Sequence, residues 1–155
     1  MSNKIYPIGI QNFEKIRKGG YCYIDKTAWI YQMVKTGSYY FLSRPRRFGK
    51  SLLLSTLEAY FQGKKKLFEG LAIEKLEKDW FKYPILHIDL NTEKYDTPER
   101  LENKLNRTLV EWEKIYGAES AETSLAMRFE GIIQRACEKE GQSVVILVDE
   151  YDKPM

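Results

Sequence analysis

Two short stretches hold residues able to do chemistry on a phosphate. Ser43-Arg44-Pro45-Arg46-Arg47-Phe48-Gly49-Lys50-Ser51 ends in Gly-Lys-Ser, and Val144-Val145-Ile146-Leu147-Val148 runs straight into Asp149-Glu150. Gly-Lys-Ser between a strand and a helix is the second half of the phosphate-cradling loop GxxxxGK[ST]. Gly49 lets the backbone turn its amides inward with no Cβ in the way of a phosphate. Lys50 places an ammonium between β- and γ-phosphates, and Ser51 offers its hydroxyl to Mg²⁺. The positive end of the following helix adds its dipole. The expected nucleotide-binding run is Arg44, Pro45, Arg46, Arg47, Phe48, Gly49, Lys50, Ser51 and Leu52. Arg44 stands where the generic pattern has its first glycine. Arg44, Arg46 and Arg47 cluster where an anion should sit, although solvated arginines or arginines paired with carboxylates would read the same way.

The second stretch has the Walker B form. A buried strand presents Asp149 at its carboxyl end, where it can hold the Mg²⁺ shell, and Glu150 can polarise the attacking water as general base. Lys50 and Glu150 are the expected catalytic residues, Ser51 and Asp149 the expected metal residues. Either motif alone is common. Their order, roughly a hundred residues apart, points to nucleotide binding. Asp89 ends another apolar run and reads as a strand-end turn acid on the same edge. His87 alternates within that run without a second histidine and reads as a packed or surface residue. Asp152 and Lys153 follow the acidic pair, where a loop role and a role in shaping the site are both open. Lys64-Lys65-Lys66 reads as a solvated loop before it reads as a nucleic-acid contact.

The elements that must position these residues are legible in part. A helix is expected near Asn12–Lys18, ended by Gly19-Gly20, then a short strand over Tyr21–Ile24. Asp25 should cap a helix running to about Lys35 that buries Ile30, Met33 and Val34. Tyr39–Leu42 reads as a buried strand. From Lys50 a helix is expected with Leu53, Leu54, Leu57 and Phe61 on one face and Gly63 as its stop. The stretch Lys64–Lys82 has no clear period. Pro84 opens a strand over Ile85–Leu90. Helices follow near Pro98–Tyr116 (Leu101, Leu105, Leu109 and Trp112 at helical spacing) and Ser124–Lys139 (Leu125, Phe129, Ile132, Ile133 and Ala136), then the strand Val144–Val148. Strands that alternate with helices and carry continuous apolar runs indicate an α/β fold with a mainly parallel sheet. Such sheets bind ligands at the carboxyl ends of their strands, where both motifs lie.

Composition narrows the class. The chain has 155 residues, 43% hydrophobic and 30% charged, which suits a globular domain rather than a disordered one. A net charge of +3 permits an anionic ligand without demanding nucleic acid. The longest aliphatic run, Val144–Val148, is far short of the roughly 20 residues of a membrane span. Cys22 and Cys137 form no CxxC pair, and with a single histidine they cannot build a usual four-ligand zinc site. The residues after Met1 lack the apolar stretch of a signal peptide. A cytoplasmic protein with reduced thiols and no membrane partner is expected.

The residues also resemble a known family. Ile8-Gly9-Ile10-Gln11-Asn12-Phe13-Glu14-Lys15-Ile16-Arg17, Tyr23-Ile24-Asp25-Lys26-Thr27, Tyr40–Ser51 and Val148-Asp149-Glu150-Tyr151-Asp152-Lys153-Pro154 are similar to the bacterial AAA-ATPase-like proteins. Many of these carry a PD-(D/E)XK-type nuclease domain at the carboxyl terminus. The arginine in place of the first loop glycine is how this family's loop looks. The resemblance implies a P-loop NTPase of three-layer α/β/α form with strand order 5-1-4-3-2, binding ATP and Mg²⁺. It implies an N-terminal extension over residues 1–36 and part of the P-loop core over 37–155, truncated after Walker B. The sensor strand, fifth strand, arginine finger and helical lid fall outside the 155 residues. On this reading the 155-residue chain alone turns over little or no ATP, and nucleic acid would be met through the nuclease-like domain. The segment Ile8–Thr27 would lie near the adenine or serve as a packing extension. A non-catalytic module that binds nucleic acid or protein through the basic loop is the alternative, and an unstable remnant a third. Neither the base, ATP or GTP, nor the oligomeric state is legible.

Overall fold

The computed structural model describes residues 3–37, 49–92 and 94–150. The chain divides into two compact units, residues 1–82 and 83–155.

The first unit is helical among its described residues: α1 (Phe13–Lys18), α2 (Thr27–Thr36), α3 (Lys50–Phe61) and α4 (Ala72–Leu76). Asn12 caps α1 by accepting from the Lys15 amide, as its residue type predicts. Tyr21–Ile24 is not a strand. Among the described residues its one ladder-like bond runs from the Cys22 amide to the Ile5 carbonyl. Instead its side chains pack, with Tyr23 edge-on to the fully buried Phe13 at 5.1 Å between ring centres. Asp25 does cap α2, and it reaches further than the sequence suggests. One carboxylate oxygen accepts from the Thr27 amide at 2.9 Å and hydroxyl at 2.6 Å, while the other accepts from the Ala72 amide at 2.7 Å. The buried Thr27 hydroxyl then accepts from the Ile73 amide. Two side chains thus satisfy the starts of two helices.

Helix α3 buries Leu57 of the expected stripe, but its other buried residues are Thr56, Ala59 and Tyr60, and Leu53, Leu54 and Phe61 are only half-buried. The reason is polar. Tyr60 donates its phenol to the carboxylate of Glu77, just past α4. The Glu77 side chain, 3% exposed, also takes Lys35 of α2 at 3.2 Å and the Asp79 amide at 3.1 Å. Phe68 and Trp80 pack around Tyr60. The unperiodic Lys64–Lys82 stretch is therefore a short 3-10 turn at Lys65–Phe68, then α4 and the Glu77 anchor.

The second unit pairs β1 (Ile85–Asp89) with β2 (Val145–Asp149) in parallel, under α5 (Pro98–Tyr116) and α6 (Leu125–Glu140). Leu86, Leu109 and Ile132 form its buried centre, with Trp112 and Phe129 stacked beside it. Ser124 caps α6 and Gly141 ends it in the left-handed conformation. Arg135 ties the α5–α6 connection: it donates to the Tyr116 and Gly117 carbonyls and bidentately to Glu122 at 3.0 Å. A Cβ at Gly131 would lie 1.5 Å from Glu122 Oε2, so a bare glycine makes room for that ion pair. No helix among the described residues is long and apolar enough to cross a membrane.

Burial alone would raise the Glu77 pKa. Donation from Tyr60, from the Asp79 amide and from Lys35 outweighs it and holds the carboxyl below its ordinary value. A depressed carboxylate stabilises the fold above the unfolded value of about 4.3 and loses that contribution as pH falls through the folded value. The melting temperature is therefore expected to drop more steeply below about pH 4 for the unaltered chain than for Glu77→Gln. Parallel slopes in pH-dependent thermal melts would contradict the assignment.

Candidate functional site

Gly49 enters α3 with φ +83° and ψ +14°, and among the described residues, its chain neighbours aside, nothing lies within 4 Å of where its Cβ would sit. Only glycine adopts this conformation freely, so the residue type follows from the turn. The Leu53 amide closes the first helical bond on the Gly49 carbonyl at 3.0 Å. The cap residue, being glycine, has no side chain to offer the first amides of the helix. Lys50, Ser51 and Leu52 occupy its first turn, half-buried. The remaining loop residues, Arg44, Pro45, Arg46, Arg47 and Phe48, lie outside the described residues, as do Tyr39–Leu42 and Asp152 and Lys153.

Polar side chains hold α3 one turn below this start. Ser55 Oγ accepts from the Phe13 amide at 3.0 Å and donates to the Leu52 carbonyl at 2.9 Å. Thr56 also donates to Leu52, and a hydrogen bond joins Thr56 to the Tyr23 phenol, whose pKa burial raises. The first residue of α1 and the segment after that helix are thereby tied to the helix that starts with Lys50 and Ser51. Ser55 carried no signal in the sequence, because its partner is 42 residues away.

In the second unit, Asp149 ends β2 and Glu150 follows with φ +56°, the one non-glycine residue with positive φ among those described. Asp149 Oδ1 is buried and has no hydrogen-bond partner among the described residues. Asp89 ends β1 and is exposed, and its Oδ1 accepts from the Asn91 amide at 2.8 Å, the turn role the sequence suggested. His87 is half-buried within β1. Of the basic run, Lys64 pairs with Glu14 at 3.0 Å, and Lys65 and Lys66 are exposed in the 3-10 turn. No group of three or more His, Cys, Asp or Glu with metal-binding geometry occurs among the described residues, and both cysteines are free thiols.

A family model described as "Predicted AAA-ATPase" matches residues 7–155. The chain belongs to the AAA-ATPase-like family. A relative described as an uncharacterized protein in the vnfD 5′ region of Azotobacter chroococcum mcd 1 is 43% identical over 157 residues. The match covers 100% of the present chain and 30% of the relative, so this AAA-ATPase-like chain spans about 30% of that protein's length. No solved structure matches.

A left-handed backbone costs a non-glycine residue on the order of 1 kcal/mol, and such strain concentrates at functional positions. Glu150→Gly is expected to raise unfolding stability by about 1 kcal/mol, whereas Glu150→Gln, with the same backbone cost, leaves it unchanged. Urea unfolding of the two variants checks this, and a loss of stability in Glu150→Gly would refute the strain.

Proposed function

We propose that this chain is the ATP-binding part of a P-loop ATPase which, in the intact module, converts ATP and water to ADP and phosphate. The observation that carries the reading is the start of α3: a left-handed Gly49 at the cap position, which brings no side chain of its own, and Lys50 and Ser51 in the first turn. A twelve-residue helix concentrates unpaired amides and a partial positive charge at such an end, which suits a phosphate group. The parallel pairing of β1 with β2 supports a P-loop sheet, because order 5-1-4-3-2 makes its second and third strands neighbours.

Lys50 binds and orients the β- and γ-phosphates, and the arginines of Arg44–Arg47 add positive charge on the same loop. Ser51 and Asp149 are the residues for Mg²⁺. Asp149 fits that role on its own geometry, because a buried carboxylate oxygen without a donor is costly and a hydrated cation relieves it. Mg²⁺, when bound, neutralises charge on the phosphate oxygens. Glu150 accepts a proton from the attacking water, and its left-handed backbone takes it out of the strand's alternation after Asp149. Localisation in the cytoplasm and a P-loop core that begins near residue 37 belong to the same proposal.

Binding to the native state alone stabilises it by about 2.7 kcal/mol at a hundred times the dissociation constant. Mg-ATP is expected to raise the melting temperature of the unaltered chain, and Lys50→Ala is expected to need about tenfold or more ATP for the same shift. No response to Mg-ATP, with a response to single-stranded DNA that weakens steeply with salt, would favour a nucleic-acid module instead.

A further inference from the structure

Resting on the ATPase reading above, we propose that Asp89 is a second carboxylate of the Mg²⁺ site, acting beside Asp149. The two strands run parallel and in register to their last residues, and Asp89 is the register partner of Asp149. Register neighbours in adjacent strands point to the same face, about 4.8 Å apart. Both acids therefore sit side by side at the carboxyl edge of the sheet. Asp89 Oδ1 is fixed by the Asn91 amide, which orients the side chain, and its other oxygen has no hydrogen-bond partner among the described residues. Asp149 Oδ1 is buried without a donor. No Lys or Arg among the described residues pairs with either acid.

Two neighbouring carboxylates repel each other, the more so where one oxygen is out of water and no described basic side chain offsets the charge. A divalent cation resolves that repulsion. Mg²⁺ in particular keeps several waters and takes one or two carboxylates together with substrate phosphates, a demand that two acids can meet without a third ligand. Asp89 serves either through a shared water or by direct contact, and its charge is what matters in both cases.

Mn²⁺ stands in for Mg²⁺ as a paramagnetic probe, with free Mn²⁺ read by electron paramagnetic resonance in the presence of a non-hydrolysable ATP analogue. Asp89→Asn keeps an acceptor for the Asn91 amide and removes only charge. It is expected to weaken Mn²⁺ binding about tenfold without lowering the metal-free melting temperature. Asp89→Glu keeps the charge and disturbs the turn, and is expected to bind Mn²⁺ more tightly than Asp89→Asn. The reverse order assigns Asp89 to the turn alone and overturns the proposal. Unchanged Mn²⁺ affinity in Asp89→Asn, with affinity lost in Asp149→Asn, overturns the role of Asp89 and leaves the ATPase reading standing. Absence of Mn²⁺ binding by the unaltered chain overturns both.

Discussion

The buried carboxylate of Glu77 is the interaction on which the first unit depends. It gathers a phenol from α3, an ammonium from α2 and an amide from its own turn into one nearly dry site. A carboxylate removed from water without such partners would destabilise the fold by several kcal/mol. With them, it fixes the far end of α3. Ser55 and Thr56 fix the same helix nearer its start. The first turn, carrying Lys50 and Ser51, follows a cap glycine that has no side chain to offer it. A rigid helix entered through a left-handed glycine is what phosphate recognition asks of a scaffold.

The second unit meets a different constraint. Parallel strands bury both faces, and β2 is apolar enough for that, yet Ile146 and Val148 remain 42% and 37% exposed while Leu147 is buried. The α5–α6 pair covers Leu86 and Val144 and is itself clamped by Arg135 on Glu122 and by Arg128 on Glu113. What this layer delivers to the carboxyl edge is a register: Asp89 against Asp149, with Glu150 turned out of the strand.

Much of this was legible because the signals are local. Helices α5 and α6 begin and end within a residue of the expected Pro98–Tyr116 and Ser124–Lys139, since caps and stops act over three or four positions. Gly-Lys-Ser and the apolar run ending in Asp-Glu likewise announce their elements. What stayed hidden is non-local. Tyr21–Ile24 has strand composition, but its rings and the neighbouring Asp25 are used for packing and capping instead. Tyr60 joins Leu57 on the buried side of α3 in place of Leu53, Leu54 and Phe61, because its partner lies 17 residues on, in a stretch without period. Asp89 read as a turn acid, which it is, and its juxtaposition with Asp149 exists only once the strands pair.

The central claim is that the start of α3 recognises a phosphate chain. Competition against a fluorescent ATP analogue in Mg²⁺ tests it most directly, with tripolyphosphate, ATP, ADP and AMP as competitors. The account predicts that affinity follows the phosphates, so that tripolyphosphate and ATP displace the probe and AMP does not. Displacement by AMP as effective as by ATP, with none by tripolyphosphate, would contradict it.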